Sequence, residues 1–187
     1  MGKLTKPVVR EIIEDFAEEI SLRKTKGLPP KETAINFRKE LSEGVTRDIY
    51  LIPIELLRYR KDNGRIASDI FAYEKDNGIL DEKSEEAQEI IRGFLEHKDK
   101  EKTDELKRSI IHEGQRDPAI ITCDGFLING NRRKMVMDNL SNSPKYCGDE
   151  KFKRMKAVIL PGKGDTGGPP TLLEIEQIEN RYQLQSD

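Results

Sequence analysis

Between Ala119 and Leu140 the hydrophobic pattern changes period with almost no chain left over for a connection. Ala119-Ile120-Ile121-Thr122-Cys123 is a short β-branched run that fits a strand. Asp124-Gly125 fits a two-residue hairpin turn of the mirror-image type I, and Phe126-Leu127-Ile128 fits the returning strand. Asn129-Gly130-Asn131 then leads into Arg132-Arg133-Lys134 and a helix carrying Met135, Val136, Met137 and Leu140. A strand that gives way to a helix across so few residues sets a helix N-terminus beside a sheet edge. The expected class is therefore α+β, a small mixed sheet packed against helices.

The flanking chain supplies the other elements. Val9, Ile12, Ile13, Phe16 and Ile20 predict an amphipathic helix over 7–26, with Gly27 as its stop. Ala34, Phe37 and Leu41 predict a second helix over 31–43, so residues 1–45 are expected to form an added N-terminal helical hairpin. Thr46 to Ile54 predicts a strand ending at Pro53. Ser84 caps a predicted helix to Glu96, and His97–Lys102 is a charged linker. Thr103 caps a further helix with Leu106, Ile110 and Ile111 on its buried side and Gly114 as its left-handed terminator. Met155–Leu160 is a strand, and 161–170 a glycine-rich loop. Thr171 and Glu174 form a capping box for a last helix carrying Ile175, Ile178 and Tyr182.

Composition limits the function classes. Among 187 residues, 33 Lys and Arg face 35 Asp and Glu, a net charge of -2, which argues against a domain-wide basic footprint for nucleic acid. A local basic site remains compatible with it. Cys123 and Cys147 form no CxxC pair, and His97 and His112 sit in no metal-binding pattern. The expected compartment is reducing, the cytoplasm, with no membrane-spanning run and no secretory leader.

One segment carries chemistry. A helix N-terminus presents free backbone N–H groups and partial positive charge, and so attracts anions. Gly130 permits positive φ or close approach to a ligand. Arg132 and Arg133 add planar cationic donors suited to phosphate oxygens. Two arginines in the first turn oppose the helix dipole, a conflict that a bound anion relieves. The competing reading is that both arginines pair with the abundant carboxylates.

The run Gly114-Gln115-Arg116-Asp117-Pro118, strand, hairpin turn, strand, Gly130-Asn131-Arg132-Arg133 and helix resembles the ParB/sulfiredoxin superfamily, in particular the ParB-like N-terminal domain. The family pattern there is Gly-x-x-Gln-Pro followed by Gly-Glu-Arg-Arg. Leu51–Leu57 resembles its opening strand, with Arg65 as the match for the arginine that ends the next loop. Glu179-Asn180 resembles its Glu-Asn pair. The resemblance covers roughly 48–185, within a ParB-like domain placed at 46–187, and residues 67–102 are expected as a helical insertion. Asn131 stands where the family has glutamate, and Asp117 where it has glutamine.

The resemblance implies nucleoside triphosphate binding, with CTP as the family's ligand. Gly130, Asn131, Arg132 and Arg133 would contact phosphate, with Gly114, Gln115 and Arg65 nearby. Glu179 and Asn180 would stand on the side of a magnesium ion (Mg2+), which is usually held by one or two carboxylates plus phosphate oxygens. The implied role is an NTP-dependent switch in a DNA-associated system, with slow NTP hydrolysis. DNA contacts would come through regions outside this chain, which is expected to be a fragment, and self-association as a homodimer belongs to the same expectation. The alternatives are a ParB-like nuclease, a small-molecule phosphotransferase of the same fold, and a protein-interaction module docking through the N-terminal hairpin. Sulfiredoxin chemistry needs a cysteine in the arginine loop, which this chain lacks.

Overall fold

A computed structural model describes residues 5–27, 29–35, 37–38 and 46–183. The architecture is α+β, with a mixed five-stranded sheet and six helices. In chain order these are α1 (Glu14–Arg23), β1 (Thr25–Lys26), β2 (Glu32–Ala34), β3 (Thr46–Asp48), β4 (Tyr50–Pro53), α2 (Ala67–Asn77), α3 (Glu85–Glu96) and α4 (Lys100–Glu113). Then come β5 (Ala119–Ile121), β6 (Leu127–Asn129), α5 (Asn131–Asn142), β7 (Arg154–Ile159) and α6 (Leu172–Gln183). The main sheet runs β1-β4-β7-β5-β6, and only the β5–β7 pair is parallel. β2 and β3 form a separate antiparallel pair.

Strand alternation divides the core into two layers. Ala119, Ile121, Leu127, Met155 and Ala157 face the larger cluster, with Ile91 and Leu95 of α3, Ile110 of α4 and Met135 and Leu140 of α5. Ile120, Ile128 and Val158 face the other way, onto Ile175 and Ile178 of α6 and onto Ile35, Phe37 and Ile49. The sheet is thus covered on both faces. The outer edge of β6 is covered too. Arg58 N–H donates to the Gly125 carbonyl at 2.8 Å, and Leu127 N–H donates to the Arg58 carbonyl at 2.9 Å. The buried Gln88 then closes the far side of this added segment, accepting from Tyr59 N–H at 2.7 Å and donating to the Tyr59 carbonyl at 2.9 Å. Edge pairing is satisfied within the chain.

The N-terminal region differs from the helical-hairpin expectation. The first helix is only α1, and residues 7–13 are extended. A buried carboxylate accounts for the late start. Asp124, fully buried, accepts from the Arg10 guanidinium at 2.8 and 3.0 Å and from Ile13 N–H at 3.0 Å. The backbone at Ile13 is held by the hairpin turn, so the helix begins one residue later. The Arg10 guanidinium also lies 4.6 Å from the centre of the Phe126 ring.

The predicted second helix is replaced over 32–34 by β2, in register Glu32↔Asp48, Thr33↔Arg47 and Ala34↔Thr46. Its remainder, 39–43, lies outside the described residues. Cross-strand pairing there overrides a weak helical stripe, and Ile35 and Phe37 are buried at strand-like spacing. The single strand predicted over 46–54 is two. The chain changes sheet at Ile49, whose N–H donates to the Lys31 carbonyl at 2.8 Å and whose carbonyl accepts from Gly27 N–H at 3.0 Å.

The turn at Asp124-Gly125 is also not of the mirror-image two-residue type. Gly125 has φ +90°, but Asp124 is not among the residues with positive φ. Gly125 N–H donates to the Thr122 carbonyl at 2.9 Å, so Cys123 and Asp124 occupy the turn's centre. That geometry points the Asp124 carboxylate inward, where Thr122 Oγ1 donates to it at 2.6 Å.

Asp124 is therefore predicted to carry the N-terminal segment. Asp124→Ala leaves Arg10 without its buried partner, and urea unfolding is expected to lose roughly 3 to 5 kcal/mol. Protease cleavage before Glu14 should accelerate in the same variant. Unchanged stability would refute the role.

Candidate functional site

The turn from β6 to α5 is built around Gly130. It has φ 102° and ψ 14°, and Lys134 N–H closes the first helical turn onto its carbonyl at 2.9 Å. A Cβ here would stand 2.9 Å from the Ala119 Cβ and 3.2 Å from the Met155 Cε. Glycine is thus required for packing against β5 and β7 as well as for its backbone angle. Met135, Val136, Met137 and Leu140 anchor α5 on the sheet, which fixes the direction of its N-terminus. The first-turn N–H groups of Asn131, Arg132 and Arg133 have no acceptor within the helix.

These groups open onto a cavity of about 450 Å³. Gly130, Asn131, Arg132 and Arg133 line it together with Gly114, Gln115 and Arg65, which are far away in sequence. Glu179 lines it as well, while Asn180 is exposed on α6 and does not. Cationic side chains on the wall are Arg65, Lys102, Arg116, Arg132 and Arg133, against the carboxylates Glu105, Asp117 and Glu179. The balance favours an anion.

Each wall is held differently. α4 ends at Gly114, with φ 76° and an extended ψ rather than the left-handed terminator expected. Gln115 follows, and its carboxamide is engaged with β7. It donates to the Lys156 carbonyl at 2.8 Å and accepts from Lys156 N–H at 2.6 Å. Gln115 thereby pins the 114–118 segment to the sheet.

The opposite wall is the loop 60–65. Arg60 donates to Glu179 Oε2 at 2.6 Å, and Gly64 N–H donates to Glu179 Oε1 at 2.6 Å. Glu179 is only 8% exposed. Each of its oxygens accepts one hydrogen bond in this clamp, while Asn180, next in the chain, is exposed on α6. Among the described residues, no group of three or more His, Cys, Asp or Glu side chains is gathered that could hold a metal ion.

The arginines of the wall meet carboxylate and backbone oxygens. Arg132 lies 3.0 Å from Asp99 Oδ2, and Arg65 lies 3.8 Å from the same oxygen. Arg133 donates to the Asp117 backbone carbonyl. Burial pushes the Arg133 guanidinium below its ordinary pKa, and Asp117 opposes that shift. Asn131 is 7% exposed, and its Oδ1 is buried with no hydrogen-bond partner. Unsatisfied buried acceptors are costly, and in folded proteins each calls for an explanation such as a functional role or a bound water.

No family model, no curated protein and no solved structure matches this chain. The site therefore stands on its own geometry.

Sequence reasoning located the arginine loop and both glycines but missed three contributors. Arg60 and Asn63 belong to a loop whose basic, turn-rich character was visible, though its clamp on α6 was not. Asp99 gave no signal at all. α4 begins at Lys100 rather than at the expected Thr103, and the extra turn is charged and largely exposed, so no apolar stripe marks it. Cys123 is half-buried. Burial, with Asp124 adding to it, pushes its thiol up to about 11.

Two outcomes follow from this geometry. Gly130→Ala is expected to lose about 3 kcal/mol or more in chemical denaturation, since it combines backbone strain with overpacking against Ala119. At pH 8, a maleimide should label exposed Cys147 well before Cys123, readable by mass spectrometry of peptides, and equal rates would contradict the buried-thiol assignment.

Proposed function

We propose that the cavity binds a nucleoside triphosphate through its phosphates, as a ParB-like nucleotide-binding domain does, and that the domain is an NTP-dependent switch in a DNA-associated system. The observation that carries this reading is the convergence of three separate segments on one cavity. Residues 130–133 bring a helix N-terminus with its arginines, residues 114–115 bring the neck after α4, and Arg65 comes from the clamped loop. These are the segments that the family resemblance assigns to nucleotide.

The physical case supports the same ligand class. About 450 Å³ lies within the usual range for small-molecule pockets, roughly 300 to 1,000 Å³. First-turn N–H groups, a positive dipole end and forked guanidinium donors suit a polyphosphate. The unpartnered Asn131 acceptor suits a ligand that also brings a hydrogen-bond donor, such as a hydroxyl or amino group. A nuclease reading would call on Glu179, whose oxygens accept from Arg60 and Gly64, and a phosphotransferase would need a base near the phosphate loop, where Asp124 is taken by Arg10 and Ile13 N–H.

Calorimetric titration with CTP, ATP and GTP, each with and without magnesium, tests the proposal against an Arg132→Ala control. Saturable binding is expected for at least one nucleotide. It should weaken roughly thirty-fold in the variant, the equivalent of about 2 kcal/mol for a lost charge-assisted contact. Absence of binding to every nucleotide by the folded protein would overturn it.

A further inference from the structure

Resting on that reading, we propose that Asp99 is a built-in competitor for the anion: its carboxylate sits between Arg132 and Arg65 when the cavity is empty and must leave when phosphate enters.

Three observations converge on this residue. Its Oδ2 lies 3.0 Å from Arg132 Nη2 and 3.8 Å from Arg65 Nη1, so one carboxylate oxygen serves two arginines of the cavity wall. Its backbone is left-handed, with φ 48° and ψ 58°, a region uncommon outside glycine that aspartate and asparagine enter more readily than other residues. Asp99 is also the N-cap of α4, where aspartate ordinarily accepts a hydrogen bond from its own helix. Here the side chain makes no such bond. The carboxylate forgoes the local partner that favours aspartate at this position and reaches to the arginines instead.

The side chain is still 56% exposed, so it can swing out without unpacking the core. Departure removes the Asp99 contact from both guanidinium groups and returns the carboxylate to the end of α4, where the helix dipole favours it.

The test uses inorganic tripolyphosphate as probe and Asp99→Asn as variant. Asparagine tolerates left-handed backbone and caps helices as well as aspartate, so the change removes only the charge. Asp104→Asn, one turn further along α4 and outside the cavity wall, controls for the general effect of removing a negative charge. A latch closed about nine-tenths of the time lowers apparent affinity about tenfold. The expected result is therefore binding by the unaltered protein, about tenfold tighter binding by Asp99→Asn, and a change under about threefold for Asp104→Asn. Hydrogen exchange at 98–103 should also rise in the unaltered protein when tripolyphosphate is added.

If the unaltered protein binds and Asp99→Asn binds equally or more weakly, the latch is overturned and the phosphate site stands. Equal tightening by both variants also overturns it, in favour of long-range charge. If neither the unaltered protein nor Asp99→Asn binds, the phosphate reading falls and the latch falls with it.

Discussion

The packing of Gly130 against Ala119 and Met155 fixes the rest of the site. With no Cβ, the end of β6 lies close enough to β5 and β7 for α5 to begin immediately, and the buried methionines of that helix then set its axis. The direction in which its N–H groups point follows from core packing, not from the polar residues around them. That separation lets the cavity tolerate costly choices, such as an unpartnered Asn131 oxygen and two arginines at the positive end of a helix, because α5 is held from behind.

The irregular segments are held by a device used twice. Asp124 is fully buried and takes the Arg10 guanidinium together with Ile13 N–H. Glu179 is almost fully buried and takes the Arg60 guanidinium together with Gly64 N–H. In each case a carboxylate on regular structure or a tight turn captures a side chain and a backbone donor of a loop. Buried ion pairs add little net stability compared with apolar replacements, because desolvation offsets much of their attraction. Their directionality is what matters here. Each sets where a segment without periodic hydrogen bonding must lie, one at the entrance to α1 and the other at the wall of the cavity.

This division also explains what the sequence reveals. Elements with local signals were legible. Ser84 caps α3 by accepting from Ala87 N–H at 3.1 Å, and Thr171 and Glu174 make reciprocal 3.1 Å bonds at the start of α6. The unit β5–β6–α5 follows its change of hydrophobic period. What stayed hidden depends on partners distant in sequence. Nothing near residue 13 announces that Asp124 will claim its N–H, and nothing near residue 32 announces pairing with Asp48. For the site, the arginine loop was legible because its residue types conflict with helix electrostatics. Glu179 was read as a metal-side residue from the family resemblance, and its clamp on the 60–65 loop stayed hidden because the partners lie far apart in the sequence. Asp99 was invisible because a charged residue in a charged run carries no contrast.

The conflict at α5 also bears on why the cavity should take an anion at all. α3 opens with Glu85 and Glu86, and α1 with Glu14 and Asp15, as the dipole favours. α5 opens with no acidic residue and carries Arg132 and Arg133 instead. A surface helix could relieve that by pairing both guanidinium groups with nearby carboxylates, which are abundant in this chain. Instead, Arg133 donates to the Asp117 backbone carbonyl, and Arg132 lies 3.0 Å from the exposed Asp99 carboxylate, whose same oxygen stands 3.8 Å from Arg65. On the proposed function, an incoming polyphosphate would meet the end of α5 with its oxygens and would replace the charge of Asp99 beside Arg132 and Arg65.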